Sequence, residues 1–166
     1  MPRDTGKAGN VNESLVPASV AEHPGCVLLK LGQVAFRLTE QRLGELGLRT
    51  RHYTLLKVLA ADGPLSQLEL GRRTRIDATT IVATVDDLEK AGLATRTRDK
   101  ADRRRWSVAL TDDGSATAGR ADALIERLGR EMFTDLSTTQ SRDLADLLGA
   151  LNTGTALAGL LDGLRG

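Results

Sequence analysis

Residues 76–114 read IDATTIVATVDDLEKAGLATRTRDKADRRRWSVALTDDG, and this stretch decides the fold. Asp77 can cap a helix that ends at Gly92. The residues on the apolar face of this helix, by their spacing, are Ile81, Val82, Val85 and Leu88. Two runs of alternating apolar and polar residues follow at 93–98 and 105–110, and a charged tip joins them. This pattern predicts a β-hairpin.

The second run of the hairpin has one apolar face, formed by Trp106, Val108 and Leu110. A helix followed by a hairpin with a basic tip is the order of parts that could place one helix in a DNA groove and a hairpin beside it.

The segments before residue 76 are helical by their apolar spacing. The first helix is predicted from Val27 to Leu46 and the second from Arg51 to Ala61. Ser66 and Glu69 form a capping box, in which each side chain accepts the other residue's amide, and it starts a short third helix that ends near Arg73. The third helix and the one capped by Asp77 form a helix-turn-helix, although such pairs also occur as plain packing units.

The segments after residue 110 predict two more helices. Thr111 can cap a fifth helix over about Gly114 to Leu136, and a capping box at 137–140 opens a sixth that runs toward Leu164. The sixth helix has more leucines than one small domain needs, and its glycines weaken it as an isolated helix. We expect it to pack against a second subunit.

Composition limits the class of protein. Of 166 residues, 40% are hydrophobic and only 2% aromatic, so the core must be aliphatic, and base-stacking RNA-binding folds are disfavoured. The single cysteine excludes an intramolecular disulfide and is typical of a reducing compartment. No apolar run approaches the roughly 18 residues of a membrane span, and the polar first residues are unlike a secretory signal. We expect a cytoplasmic protein without membrane association.

Charge is unevenly distributed although the net charge is only +1. Residues 96–105 contain six basic residues and two acidic ones, and three arginines lie near the predicted turn of the helix-turn-helix. A basic patch on a mildly acidic body is typical of a nucleic-acid-binding protein. By composition alone, a solvated charged loop is the favoured interpretation.

Two motifs resemble those of the MarR family of winged helix-turn-helix transcription regulators. One is DDLEKAGLATRTRDKADRRR at 86–105, which is similar to the end of the family's recognition helix, LEKxGL, and its wing. The other runs from Asp102 through Arg104 to Gly114 and is similar to DxRxxxVxLTxxG. The resemblance covers roughly Val27 to Leu164.

The resemblance implies a fold class and an organisation. The fold is expected to be mainly α with a small β-hairpin wing (α+β). A single domain over 25–164 follows a flexible N-terminal arm, 1–24. Its dimerisation helices lie in 25–47 and 114–164, and its winged helix-turn-helix in 50–112. The implied function is that of a homodimeric repressor on a pseudo-palindromic double-stranded DNA operator, released by a small-molecule effector.

The fourth helix, by resemblance, enters the major groove. Thr79, Thr80 and Thr84 are predicted to be exposed there, where threonine can contact phosphates, bases or a thymine methyl. The alternative is that these threonines reflect helix-start propensity only. Family members often carry arginines later in this helix, whereas this chain has Asp86 and Asp87, which we expect to face away from DNA.

The arginines around the fourth helix are the other predicted DNA contacts. By resemblance, Arg104 is the best candidate for insertion in the minor groove, with Asp102 orienting it. The remaining predictions are the neighbours Arg103 and Arg105, the phosphate anchors Arg96 and Arg98, and the backbone contacts Arg72, Arg73 and Arg75. At least one of the last three is expected to be only a solvated charge, and a merely solvated hairpin is the alternative for the wing.

Three further residues have two interpretations each. His52 and Tyr53 could border a ligand pocket or simply pack. Cys26 could be a redox sensor, since some MarR-like peroxide sensors carry a reactive cysteine near the start of helix one, or an ordinary thiol. Its register is shifted by about one residue from theirs, and Thr39 and Thr50 fall where those sensors have tyrosines.

No metal site or cofactor is predicted, and no phosphate loop or nucleophile motif indicates an enzyme. The alternative function is a helical interaction protein that kept the winged scaffold with weak DNA affinity, an interpretation that Thr84 and Asp87 keep open.

Overall fold

The computed structural model describes residues 14–98 and 106–164, which form eight helices and one hairpin within those ranges. The helices before the hairpin are α1 (Ala18–Ala21), α2 (Pro24–Gly44), α3 (Thr50–Asp62), α4 (Gln67–Thr74) and α5 (Ala78–Lys90). The strands are β1 (Ala94–Arg98) and β2 (Trp106–Leu110), and the later helices are α6 (Asp112–Met132), α7 (Thr138–Thr153) and α8 (Thr155–Gly163).

The helix starts are capped by the side chains that the sequence indicates. Ser66 Oγ accepts the Glu69 amide at 3.2 Å, Asp77 Oδ1 accepts the Thr80 amide at 2.9 Å, and Thr111 Oγ1 accepts the Gly114 amide at 3.0 Å. Ser137 and Gln140 form the complete predicted capping box. The Glu69 half of the first box is absent, because the Glu69 carboxylate pairs with Arg73 instead.

The buried core is aliphatic and joins α2, α3, α4, α5, α6 and the hairpin in one cluster. Its fully buried large side chains include Leu43, Leu55, Leu56, Leu70, Ile81, Val85, Leu88 and Val108. Dense packing of this kind fixes where α4, α5 and the hairpin lie relative to one another.

The hairpin is antiparallel, with Ala94 opposite Leu110 and Arg98 opposite Trp106. Leu65 extends it through two backbone hydrogen bonds with Val108, of 2.8 and 3.1 Å. The predicted apolar face of β2 holds only in part: Val108 is fully buried, whereas Trp106 is 51% exposed. Trp106 lies at the outer end of the described hairpin and contacts the Arg98 guanidinium, 4.3 Å from the ring centroid.

Thr111 and Gly114 join α6 to the end of α5. The Thr111 hydroxyl donates to the Gly92 carbonyl at 2.7 Å, and the Thr111 amide donates to the Leu93 carbonyl at 3.2 Å. A Cβ atom at Gly114 would lie 1.9 Å from the Leu93 oxygen. The threonine and glycine of the LTxxG motif therefore hold the hairpin and α6 in close contact.

The predicted single C-terminal helix is two helices. At Gly154 the backbone is extended (φ −68°, ψ 146°), and α7 and α8 meet at a bend of 47°. Glycine stabilises a helix least, apart from proline, so the chain breaks there. In the described ranges, no single helix has the length and apolar character of a membrane span, and only the bent α7–α8 pair together reaches them by length and composition.

The N-terminal boundary also differs from the prediction. The first long helix begins at Pro24 rather than Val27, and part of the predicted arm is ordered, since Ala18–Ala21 is helical and Val16 is buried. Many exposed apolar side chains lie on the described parts of α2, α7 and α8. They are Leu28, Leu29, Leu31, Phe36, Leu147, Leu148, Leu151, Leu157, Leu160 and Leu161, and Leu164 directly after α8 is exposed as well.

Candidate nucleic-acid interface

The turn between α4 and α5 is tight. Arg75, which follows α4, has a left-handed backbone conformation with φ 56° and ψ 26°. Gly71 on α4 is so close to the start of α5 that a Cβ there would lie 3.3 Å from the Ile76 carbonyl oxygen. The two helices therefore form the predicted helix-turn-helix, held by close backbone contact.

The orientation of α5 differs from the prediction at two positions. Thr84, predicted to be an exposed DNA contact, has no exposed surface, and its hydroxyl donates to the Thr80 carbonyl at 2.6 Å. Val82, predicted to be in the core, is 43% exposed. The exposed residues in the first half of α5 are Ala78, Thr79, Val82 and Ala83, with Thr80 partly buried. Thr84 is therefore excluded as a DNA contact in this fold.

The acidic residues of α5 are held by protein cations. Arg96 on β1 bonds Asp86 through Nη2 at 2.6 Å and also bonds the Glu89 carboxylate, which in turn accepts the Arg96 amide at 2.7 Å. Partial burial opposes the charge on Arg96, but the bonds to Asp86 and the charge of Glu89 outweigh it and raise the pKa of Arg96. In this arrangement the Arg96 side chain, 27% exposed, ties the hairpin to α5, and its role as a phosphate anchor stays a prediction.

Asp87 is bound by two side chains of α3. Its Oδ2 lies 3.1 Å from Arg51 Nη2 and 3.3 Å from His52 Nε2. The hydrogen bond from Arg51, with that from His52, lowers the pKa of Asp87. Both aspartates of α5 are therefore neutralised within the chain. Arg51 was not predicted, because the sequence does not show that α3 passes beside this part of α5.

The other predicted arginines divide into two groups. Arg73 pairs with Asp62 at 2.6 Å and with Glu69 at 3.0 Å, and the bonds to Glu69 and Asp62 raise its pKa. Arg73 is thus an intrachain ion-pair partner. Arg72, Arg75 and Arg98 have exposed side chains around α4, the turn and the hairpin, and Arg75 also forms an ion pair with Asp162 of α8, with Nη1 and Oδ1 3.6 Å apart. The predicted contacts Asp102, Arg103, Arg104 and Arg105 lie outside the described residues.

His52 and Tyr53 link helices. His52 is buried, its Nδ1 accepts the Arg49 amide at 3.1 Å, and burial lowers its pKa. The Tyr53 hydroxyl donates to Asp122 at 2.8 Å, and burial with that bond raises the pKa of Tyr53 to about 12. Each side chain has the role of a packing and bonding residue, and the ligand-pocket interpretation gains no support.

Cys26 is the third residue of α2 and is exposed. It lines an open recess of about 310 Å³ between α1 and α2, together with Val16, Leu29 and Lys30. Among the described residues, no tyrosine lines this recess. Redox sensing by Cys26 stays a prediction.

Comparison with known proteins defines the family. Residues 46–105 match the model of the MarR family. The "putative transcriptional regulatory protein for hcr operon" of Thauera aromatica is 30% identical over 151 residues, which cover 89% of this chain and 90% of that protein. The chain belongs to the MarR family. Members of this family are winged helix-turn-helix transcriptional regulators rather than enzymes, so α5 is the recognition helix and the β1–β2 hairpin is the wing.

Two other proteins are also similar to this MarR-family chain. The HTH-type transcriptional regulator TtmR of Methylorubrum extorquens is 33% identical over 99 residues, which are 60% of this chain and only half of TtmR. The crystal structure of CouR from Rhodococcus jostii RHA1 bound to p-coumaroyl-CoA has 26% identity and a TM-score of 0.71, and the match covers 84% of this chain and 98% of CouR. The predicted fold class, mainly α with a hairpin wing, is confirmed.

Proposed function

We propose that this MarR-family chain is a homodimeric repressor that binds a pseudo-palindromic duplex operator and is released by a small-molecule effector. The observation that carries the proposal is the exposed first half of α5, from Ala78 to Ala83, beside exposed arginines on α4, the turn and the wing. Helix-turn-helix proteins contact base edges with the start of the recognition helix and contact phosphates from its surroundings.

The basic residues have distinct roles in this proposal. Arg72, Arg75 and Arg98 approach phosphates, while Arg96 holds the wing against α5. Arg104, with Asp102 beside it in sequence, is proposed for the minor groove on the family resemblance alone. The neutralisation of Asp86 and Asp87 by Arg96 and Arg51 supports binding, because free carboxylates at this surface would repel the DNA backbone.

Dimerisation is supported by the apolar surface of α2, α7 and α8. A soluble monomer rarely exposes a large contiguous apolar patch, and these helices carry leucines that no other described element covers. A two-fold dimer would bury them and would set two recognition helices at a fixed separation, which requires a two-half-site operator.

Release by an effector is supported by the likeness to CouR, which was crystallised with p-coumaroyl-CoA. An aromatic acid or its thioester is therefore the first class of effector to test. A ligand can release DNA only if it binds the DNA-free conformation more tightly than the bound one.

The test is a gel-shift titration of the full chain on the DNA upstream of its own gene, with and without a panel of aromatic and lipophilic acids and their thioesters. The proposal expects specific binding that weakens steeply with salt, by about 0.9 log units per log unit of salt for each phosphate neutralised. Equal affinity for this DNA and for a scrambled duplex would contradict it.

The alternative function is a helical interaction protein on a winged scaffold with weak DNA affinity, and the same titration separates it by a flat salt response. The second alternative is a Cys26-dependent redox sensor, supported by the exposed position of Cys26 near the start of α2. It expects DNA release on peroxide treatment of the wild-type chain and none in Cys26→Ser.

A further inference from the structure

The exposed surface of the recognition helix is apolar where base contacts are made. Val82 is 43% exposed near the middle of the 13-residue helix α5, and Thr79 and Ala83 are exposed beside it. The core needs none of them, because Ile81, Thr84, Val85 and Leu88 already form the buried face. A single exposed aliphatic side chain is ordinary on a protein surface, so the significance of Val82 comes from its position on the helix that is proposed to enter the major groove.

Long polar groups for base reading are missing from the same half-helix. The sequence of α5, ATTIVATVDDLEK, contains no arginine, asparagine or glutamine, and its single cation is the last residue, Lys90. Those three side chains and lysine form the bidentate contacts that distinguish guanine and adenine in the major groove. Asp86, which could accept from cytosine, is bound by Arg96. The start of α5 therefore has few side chains that could read bases by hydrogen bonds.

The apolar group that the major groove offers is the C5-methyl of thymine. We propose that Val82, assisted by Ala83 and the Thr79 methyl, reads thymine methyl groups, so that thymines facing α5 define each half-site. This inference rests on the proposed function, in which α5 enters the major groove. It identifies Val82 as a specificity-determining residue, a role that its hydrophobicity conceals in the sequence.

A duplex is the occupant favoured by the charges around the apolar patch. Arg72 and Arg75 line one recess with Ala78 at the start of α5; Asp162, 3.6 Å from Arg75, lines it too, and Arg98 is exposed on β1. Interfaces with other proteins are depleted of charged residues at their centres, whereas surfaces that bind DNA are strongly positive. Basic residues around a narrow apolar ridge are suited to a polyanion with methyl groups in its groove.

The experiment starts with the full-length protein and a random duplex library. Selection should enrich a two-half-site sequence with thymine at one or two positions per half-site. Each of these thymines is then replaced by deoxyuridine, which keeps the base pair and removes only the methyl group. We expect each replacement to weaken binding about fourfold, the equivalent of about 0.8 kcal/mol for one buried methyl.

The matched variant is Val82→Ala, which removes the two methyl groups and favours the helix. It should bind the thymine duplex about as weakly as the wild-type chain binds the deoxyuridine duplex, and deoxyuridine should have no further effect on it. Leu68→Ala, at another exposed aliphatic residue of the helix-turn-helix, should keep the full sensitivity to deoxyuridine. Far-UV circular dichroism confirms that both variants fold.

The outcomes separate the two proposals. If selection enriches no sequence, the proposed function fails and this inference falls with it. If a sequence is enriched but deoxyuridine leaves the affinity unchanged, or if Val82→Ala stays fully sensitive to deoxyuridine, the operator function stands and the assignment of Val82 is overturned.

Discussion

At the scale of single residues, Gly114 shows how a motif position can be fixed by backbone contact alone. It is buried at the start of α6, and its α-carbon faces the carbonyl of Leu93, which also accepts the Thr111 amide. Any side chain there must displace the connection between α5 and the wing. The requirement for glycine is one of space, since Gly114 lies within a regular helix.

We expect Gly114→Ala to lower the free energy of unfolding by about 3 kcal/mol, because the added Cβ overlaps backbone that cannot move without breaking the Thr111 cap. Urea denaturation measures the change. Gly119→Ala is the matched control on the same helix. A Cβ at Gly119 meets nothing within 4 Å, so this variant should be as stable as the wild-type chain or up to about 1 kcal/mol more stable. Equal stability of the two variants would contradict the close approach of Gly114 to the Leu93 carbonyl.

His52 illustrates a buried residue whose charge state matters to the fold. Its Nδ1 accepts the Arg49 amide at the start of α3, so the proton of the neutral ring lies on Nε2, which faces Asp87. A second proton would remove the acceptor of that cap. Burial lowers the pKa of His52, which means that the unfolded chain binds this proton more readily than the folded chain.

The stabilisation from neutral His52 should therefore be complete above about pH 6.5, the ordinary histidine pKa. The free energy of unfolding should fall as the pH is lowered through that value. The facing carboxylate does not titrate in this window, because the pKa of Asp87 lies below its usual value of 3.8, and the other facing group is the Arg51 guanidinium. Denaturation series between pH 7.5 and 5.5 test this. His52→Gln should flatten the dependence, and a matched substitution of the exposed His23 should not. A wild-type chain with no pH dependence in this range would count against the burial argument.

Val82 and Thr84 show why the sequence predicts the helix but misplaces its face. Hydrophobicity favours valine inside and threonine outside, yet the observed orientation is the reverse at these two positions. A helical threonine can donate its hydroxyl to the carbonyl four residues earlier, as Thr84 does to Thr80, so its burial leaves no unpaired polar group. The periodicity of the neighbouring residues fixes the phase only to within about one position.

At the scale of elements, the Arg96 side chain ties the wing to the recognition helix in addition to their shared core. Arg96 bonds both Asp86 and Glu89, which lie one turn apart on α5. This contact was not predictable, because the strand and helix positions meet only through the fold. The sequence did predict the caps at the starts of α4, α5, α6 and α7 and both strands, since those signals are local, but it did not predict the His52 cap of α3.

We expect Arg96→Gln to weaken operator binding about tenfold, because the wing loses its attachment and two carboxylates face the DNA unpaired. Gel-shift titration measures the loss. The combined variant Arg96→Gln, Asp86→Asn, Glu89→Gln removes those charges and should recover most of the affinity. If the combined variant is as weak as the single one, Arg96 instead contacts a phosphate directly.

Gly154 shows the limit of sequence prediction for a longer element. The leucine spacing continues through it, so a single helix is the natural prediction, but the chain bends by 47° between α7 and α8. Thr153 donates its hydroxyl to the Gly149 carbonyl at 3.1 Å just before the bend. Four glycines between 149 and 163 make the helix weak enough for the break to be adopted.

At the scale of the whole molecule, α7 and α8 expose more apolar surface than a monomeric protein usually does. None of the residues of these two helices is buried in the single chain. Burial of apolar surface contributes about 25 cal/mol per Å², so covering this surface with a second copy of the chain would stabilise a dimer. The bend at Gly154 sets the direction in which α8 presents its leucines.

We expect the double variant Leu160→Glu, Leu161→Glu to be a monomer at micromolar concentration, because two charges in an apolar interface cannot be paired or hydrated there. Its affinity for a two-half-site operator should fall by at least about a hundredfold, since one winged unit can contact only half of the site. Light scattering coupled to size exclusion measures the mass, and gel shift measures the affinity.

The matched control is Val82→Glu, which places a charge on an exposed apolar residue of α5 rather than of α8. It should remain a dimer while losing operator binding, because the charge lies on the surface proposed to enter the major groove. Together the two variants assign assembly to the C-terminal helices and DNA contact to α5. A double variant that stays dimeric would move the interface away from α8 and leave its leucines to another partner, whereas a monomeric Val82→Glu chain would show that α5 itself takes part in assembly.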